Sequence, residues 1–589
     1  MRATHTLVSR LLVAAACGNI GGGTETGSAD TATAHLEDSE PRVTTTVLDP
    51  VPRLFVDGTE RSGLVEERLG SAALPTRMVG GASVDDFDGD GLDDLLVIGI
   101  PGANRLYRNA GGLEFVDVTT ELGLDVLNSA EASTAGGAVF FDIDIDIDGD
   151  ADLDLFVPSV GAGPARLFVQ DDGAFQDEAE RRGVSMIESA EGTEEEDSLV
   201  FGASVTDIDH DGDLDLFTSQ WHPEGAIDPG IATRTRMFVI DGRGVFSDGS
   251  DEWGLDGLTM AAFTATFADI NSDGWQDLLL AGDFGTSRLL LNESGVRFRD
   301  VTAEANVGTD ENGMGSAVAD LNGDGTLDWF VSSLRFDEQV CVQRPTPYLG
   351  CSGNRLFTND GQGGFDDSTD AVGVRNNWWG WGAAAFDYDN DGHLDLAVAN
   401  GFFERAVDEV GEWDLDSESI GPADLESFGS LDRPIRLWKG PDSGRWSDVA
   451  AAVGLGAPGS SRAIVAADFD RDLDVAETFG GVHLFENTGP QGGSFGLTVV
   501  GPSNNRRAVG AVATATDSSG RTHVRTIRAG DAYMGQRSAF LVFGIGEAEE
   551  VTMLRVGFPP DDNSAVWETV EAGSISAGQT VTVGRHSRK

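Results

Sequence analysis

Five short acidic loops recur along this chain in one frame. Residues 85–97, DDFDGDGLDDLLV, return as TDIDHDGDLDLFT (206–218), ADINSDGWQDLLL (268–280), ADLNGDGTLDWFV (319–331) and FDYDNDGHLDLAV (386–398). The shared pattern, D-x-[DN]-x-D-G-x-x-D-[LW], sets oxygen-bearing side chains at positions 1, 3, 5 and 9, with glycine at 6. Carboxylates this close disfavour one another's ionised forms, so the pattern calls for a counter-charge. A hard divalent cation supplies it: calcium takes about 6–8 oxygens at roughly 2.3–2.6 Å, and glycine permits the sharp turn that wraps them around it. Position 7 would add its backbone carbonyl, which leaves its side chain free to vary. The expected ligand sets are Asp86, Asp88, Asp90, Leu92 and Asp94; Asp207, Asp209, Asp211, Asp213 and Asp215; Asp269, Asn271, Asp273, Trp275 and Asp277; Asp320, Asn322, Asp324, Thr326 and Asp328; and Asp387, Asp389, Asp391, His393 and Asp395. An EF-hand is excluded, because its glutamate stands at position 12 between two helices. Here a carboxylate at position 9 leads directly into a strand-like run.

Two further copies are irregular. In FDIDIDIDGDADLDLF (141–156) aspartate occupies every second position. Counting back from Asp154 as position 9 predicts Asp146, Asp148 and Asp150 as side-chain ligands and Asp152 at position 7. The preceding DIDI reads as a short duplication from which Asp142 and Asp144 could slide into register. Ala151 stands where the other loops have glycine, and alanine resists a left-handed backbone. In ADFDRDLDV (467–475), Asp468, Asp470 and Asp472 remain, but about two residues are missing before Asp474. A metal-free turn is the expected state there.

The first positions, Asp86, Asp146, Asp207, Asp269, Asp320, Asp387 and Asp468, are separated by 60, 61, 62, 51, 67 and 81 residues by subtraction. A period of this size fits a four-stranded propeller blade. Each repeat carries a second signature, as in NRLYRNAGGLEFVDVTTELGL (104–124), which reads as strand, turn, strand and loop. The last copy has VHLFENTG (482–489) with no F-x-D segment after it, and the chain begins with a matching FVDGTERSGL (55–64) that no loop precedes. One blade is therefore expected to be assembled from both ends. The fold class read from these features is all-β: a seven-bladed β-propeller over 51–490, followed by a small β-domain over 491–589.

With 39 basic and 100 acidic residues the formal net charge is −61, which makes nucleic acid and anionic membranes poor partners. At the N-terminus, LLVAAAC (11–17) follows Arg2 and Arg10. It resembles a bacterial lipobox, with Cys17 as the lipidated residue and 18–50 as a disordered tether. The remaining cysteines, Cys341 and Cys351, bracket VQRPTPYLG and are placed to close it with a disulfide outside the cytoplasm.

The loops and their companion segments resemble the FG-GAP/VCBS calcium-loop repeats of integrin α-subunit propellers. NRRAVGAVATA (505–515), GDAYMGQRS (530–538), VFGIG (542–546) and LRVGFP (554–559) resemble the ASPIC/UnbV domain of cartilage-acidic-protein-like secreted proteins and bacterial surface proteins. That pattern has an acidic residue and Gly-Ile-Gly after N-R, where this chain has RAVG. The resemblance implies an architecture more than an activity.

Signatures of catalysis are weak. GLGAPG (454–459) fits G-x-G-x-x-G literally, but it contains a proline, and a dinucleotide fingerprint needs a strand before it and a helix after. The eight histidines are scattered and read as surface residues. NNWWGWG (376–382) suits either a sugar-stacking platform or packing against a neighbouring blade, and packing is the expected role. The acidic insertion between Gly401 and Pro434 exceeds a hairpin loop. The reading that results is an exported, monomeric, non-enzymatic calcium protein that binds a protein or carbohydrate at the cell surface. Its only membrane attachment would be a lipid on Cys17. The alternative is a propeller hydrolase or lyase acting on polysaccharide, which would need an acid/base pair converging on the axis.

Overall fold

Apolar runs on either side of each acidic loop pair as antiparallel hairpins. In the first repeat Gly81–Asp85 pairs with Asp94–Ile98, and every residue of both strands is buried. Arg105–Asn109 and Phe115–Asp117 then add in order, so that the sheet runs from a buried first strand to a fourth whose residues after Phe115 are exposed. The computed structural model describes residues 54–585, apart from 66–77, 130–131, 144–151, 162, 172, 186–197, 222–234, 256, 336–340, 342–349, 402–432, 441–443, 457–458, 471–472, 480, 490–491 and 562–566. Across them the same four-strand pattern occurs seven times. In the last unit Ser461–Asp468, Leu473–Phe479 and Val482–Asn487 recruit Phe55–Asp57 as the fourth strand, with Phe55 opposite Asn487.

The companion signature has a physical reading. The aspartate of F-x-D accepts the backbone N–H two residues on, as Thr119 N to Asp117 Oδ1 (3.0 Å) and Thr369 N to Asp367 Oδ1 (3.0 Å). It also faces the arginine of the third strand: Arg105–Asp117 at 3.2 Å, Arg236–Asp248 at 3.2 Å, Arg355–Asp367 at 3.5 Å. Such half-exposed pairs add at most about 1 kcal/mol each, so they mainly set register. The asparagine that ends the third strand reaches the neighbouring sheet. Asn292 donates to Ile208 O (2.9 Å), Asn359 to Ile270 O (2.8 Å), Asn487 to Tyr388 O (2.8 Å) and Asn109 to Phe469 O (3.0 Å). The last of these ties the first sheet to the seventh. Those two sheets also share a core of Val84, Leu95, Val465 and Phe469.

Beyond Asn487 the chain forms two small sheets. One joins Leu541–Gly546, Gly493–Val500 and Thr580–Gly584; the other joins Thr522–Thr526, Val512–Asp517, Glu550–Phe558 and Glu568–Ala572. Phe495, Leu497, Phe543, Leu554 and Val556 fill the space between them. Residues 51–589 make one compact unit that includes this C-terminal part. Cys341 and Cys351 are joined by a disulfide across a Cα separation of 5.6 Å. Among the described residues no helix is long and apolar enough to cross a membrane. The export signal, tether and Cys17 lie outside the described residues, as does the acidic insertion over 402–432.

Candidate functional site

The five regular loops share one hydrogen-bond scheme. The position-1 carboxylate accepts the N–H of the glycine at position 6: Gly91 to Asp86 (3.0 Å), Gly212 to Asp207 (3.1 Å), Gly274 to Asp269 (2.9 Å), Gly325 to Asp320 (3.0 Å) and Gly392 to Asp387 (2.9 Å). That glycine has φ between +89° and +102° in all five, a region L-residues avoid. Position 4 is left-handed too (Gly89, His210, Ser272, Gly323 and Asn390), a requirement the frame did not reveal. The position-5 side chain caps position 7, as Asp90 accepts Leu92 N (2.9 Å), Asp273 accepts Trp275 N (3.0 Å) and Asp391 accepts His393 N (2.9 Å).

Position 9 has a second role that sequence reasoning missed. Asp277 accepts Ile270 N (3.1 Å) from its own loop and Asn292 N (2.8 Å) from the third strand. Asp94, Asp215, Asp328 and Asp395 do the same, and all five are at most 1% exposed. They lock the loop to the sheet whatever else they bind.

Burial, aided by adjacent carboxylates, pushes these groups up. Asp269 and Asp320 rise to about 6 and Asp328 and Asp387 to about 7, while Asp207 and Asp215 stand well above the usual range. A bound cation would favour the charged form of these carboxylates and offset the cost of their burial. Ligand atoms of Asp86, Asp88 and Asp90, of Asp207, Asp209 and Asp215, and of Asp387, Asp389 and Asp395 each gather within 4.8 Å. Asp86 Oδ1, Asp207 Oδ1 and Asp389 Oδ1 are buried without a hydrogen-bond partner. An all-oxygen donor set with unsatisfied buried carboxylate oxygens fits calcium. In two loops a side chain from the third strand already approaches this set. Arg108 Nε lies 2.9 Å from Asp88, and Lys439 Nζ pairs with Asp389 and, at 2.8 Å, with Asp391.

The irregular copies settle differently. Phe141 pairs with Asp154, and Ile143 N donates to Asp154 Oδ2 (2.8 Å), as Phe87 N does to Asp94 Oδ2 in the first loop. Asp142 therefore follows the hairpin strand directly, as Asp86 does in the first loop. Asp146, Asp148 and Asp150 lie outside the described residues. Asp152 is half-buried. In the seventh copy Asp468 pairs with Leu473, so the hairpin closes early on a shortened turn. His210 departs from the surface reading: it is fully buried and stacks on Trp275 of the next loop at 4.0 Å.

The C-terminal sheets lie against these loops, and the chain between them, 527–540, enters the space enclosed by the first strands of the repeats. Tyr533 and Met534 are fully buried among Phe201, Phe263, Met314 and Trp381, with Tyr533 5.7 Å from Phe263 and 5.5 Å from Trp381. Tyr533 Oη donates to Met78 O (2.9 Å), and Gly535–Gln536 pairs in parallel with Ala82 and Ser83. A Cβ on Gly530 or Gly535 would lie 2.0 Å from Ala203 O or 1.8 Å from Ala82 O, which explains the glycines of GDAYMGQRS. Asp531 sits between Arg528 (3.2 Å) and Arg537, and these two arginines hold it down to about 2. At the same centre Trp381 of NNWWGWG is 1% exposed and Trp379 stacks on it at 6.4 Å, so this stretch packs.

Comparison with known proteins adds three findings. A model described as FG-GAP-like repeat matches residues 86–144, 269–331 and 344–398, and one described as ASPIC and UnbV matches 501–587. Cartilage acidic protein 1 of Xenopus tropicalis is 28% identical over 177 residues, 28% of this chain and 25% of that protein, so the match spans about a quarter of the relative's length. Similar solved structures include BBS1N in complex with ARL6DN (9% identity, TM-score 0.39, 74% of this chain and 98% of that one). The exotype rhamnogalacturonan lyase YesX (14%, 0.34, 74% and 76%) and YCF48 bound to D1 peptide (9%, 0.35, 72% and 100%) are others. The chain thus carries FG-GAP-like repeats followed by an ASPIC/UnbV domain, and it is related over part of its length to cartilage acidic protein 1.

Proposed function

We propose that this chain is a seven-bladed, calcium-loaded β-propeller (51–490) capped by its C-terminal β-domain (491–589), exported to the cell surface, where it binds a protein or carbohydrate ligand. Calcium would be structural: Asp86, Asp88, Asp90 and Asp94 and their counterparts would hold it, and the ion would discharge carboxylates that burial otherwise forces toward protonation. The observation that carries the binding reading is the filled axis. A propeller enzyme works at its mouth on groups converging there, whereas this centre is occupied by Phe201, Phe263, Trp381, Tyr533 and Met534. The polar groups beside it are spent on structure. Asp283 accepts from Trp221 Nε1 (3.1 Å) and Asn312 Nδ2 (2.7 Å), and Arg462 donates to Gly401 O (3.0 Å) while lying over Trp381. The Cys341–Cys351 disulfide supports an oxidising compartment. Glycan and protein arrays probed with and without chelator test the reading. A discrete ligand captured without turnover is the expected result, and depolymerisation of a polysaccharide would overturn it.

A further inference from the structure

The C-terminal domain contacts the acidic loops through their backbone carbonyls. Asn504 reaches Gly212 O, and Trp567 Nε1 donates to Gly274 O at 3.0 Å, both at position 6. Gly492 N donates to Asp389 O (2.9 Å), Gly546 N to Asn390 O (2.8 Å) and Arg521 to Asp391 O (3.3 Å), which are positions 3, 4 and 5 of one loop. Arg507 reaches Asp86 O at position 1 and pairs with the adjacent Asp85 at 2.9 Å. None of these carbonyls belongs to position 7, the one a bound cation would use. The loops that present them hold left-handed backbone at positions 4 and 6.

From this we propose that the metal-loop face is the docking surface of the chain's own C-terminal domain, and that calcium in the loops and seating of the axial segment 529–536 are energetically coupled. This rests on the calcium reading above. Without a cation the crowded carboxylates either repel one another or take up protons, and in both cases the loop gives up the backbone shape that presents these carbonyls. Contacts to four loops, on the first, third, fourth and sixth sheets, then weaken together, and they anchor the domain that carries Tyr533 and Met534 into the axis. Coupling is reciprocal: whatever calcium does for seating, seating does for calcium affinity. A further consequence is that an external ligand meets the opposite mouth or the rim, since this face is taken.

The test uses the full chain stripped with chelator and titrated with calcium alone, with binding followed by calorimetry and amide exchange by mass spectrometry. Exchange over 529–536 is expected to slow at least ten-fold in step with binding, and more than over the core strand 277–283. Trp567→Phe, which removes one hydrogen bond to a loop, is expected to weaken calcium about five-fold. Calcium binding that leaves 529–536 unchanged, or slows it no more than 277–283, overturns the coupling and leaves the proposed function standing. So does unaltered affinity in Trp567→Phe. No heat of calcium binding overturns the underlying reading, and the coupling with it.

Discussion

Asp531 is the most consequential charge in the axial segment. Its side chain is 2% exposed, with Arg528 Nη1 at 3.2 Å and Arg537 Nε at 3.1–3.2 Å. The guanidinium groups hold it down to about 2, below the usual carboxylate range, which stabilises the fold at neutral pH by roughly 2 kcal/mol. Asp531→Ala removes that and also strands the buried Arg528 and the partly exposed Arg537, so the expected cost is about 3–5 kcal/mol. Arg528 behaves differently. Burial costs it more than pairing returns, leaving it held down to about 10, and its Nε and Nη2 have no hydrogen-bond partner. Arg528→Met should therefore cost clearly less than Asp531→Ala. Because the folded carboxyl is depressed, its contribution is complete above about pH 4 and is lost as pH falls through about 2. Asp531→Asn should flatten stability in that acid window. Denaturant unfolding in calcium across pH 2–7 measures all three variants. Equal losses in Asp531→Ala and Arg528→Met, or an unchanged acid profile in Asp531→Asn, would refute the argument.

Chelation should lower the melting temperature strongly by calorimetry, with magnesium restoring little, because these loops offer more oxygens and a looser geometry than its octahedron takes; each site held at about 100 times its dissociation constant contributes about 2.7 kcal/mol. Asp207→Ala should cost a few kcal/mol in calcium and much less in chelator, whereas Asp470→Ala in the shortened seventh turn should be nearly neutral in both; equal losses in denaturant titrations would contradict the ranking of the loops. Lys439→Met should raise the calcium affinity of the sixth-sheet loop by about ten-fold or more, read by titration calorimetry, because Lys439 competes with the ion for Asp389 and Asp391.

The regular loops and the joining of the two chain ends were legible because they rest on fixed spacing: glycine at position 6 and the orphan FVDGTERSGL at the start both have mechanical reasons. In the second loop the ligand register stays open, because Asp146, Asp148 and Asp150 lie outside the described residues. Aspartate at every second position satisfies several registers equally, and the pairing of Phe141 with Asp154 fixes only the hairpin. The left-handed position 4 was hidden because glycine, histidine, serine and asparagine share no pattern except tolerance of that backbone. The filled axis was beyond reach for another reason. Tyr533 and Met534 belong to a motif more than a hundred residues beyond Trp381, and nothing in an apolar stretch names the partner it will meet.

The contact of Tyr533 Oη with Met78 O joins residues 455 positions apart, and Phe55 waits for Asn487 in the same way. A nascent chain therefore makes the first sheet's inner strand long before the segment that seats against it exists. Until residues 487–536 have emerged, Phe55 lacks its partner strand and Phe201, Phe263 and Trp381 lack the Tyr533 and Met534 that cover them. Long-range closure of this kind is slow and leaves aggregation-prone surface uncovered. Truncation after the repeats is therefore expected to leave more than a missing appendage, because Phe201, Phe263 and Trp381 would lose the Tyr533 and Met534 that pack on them.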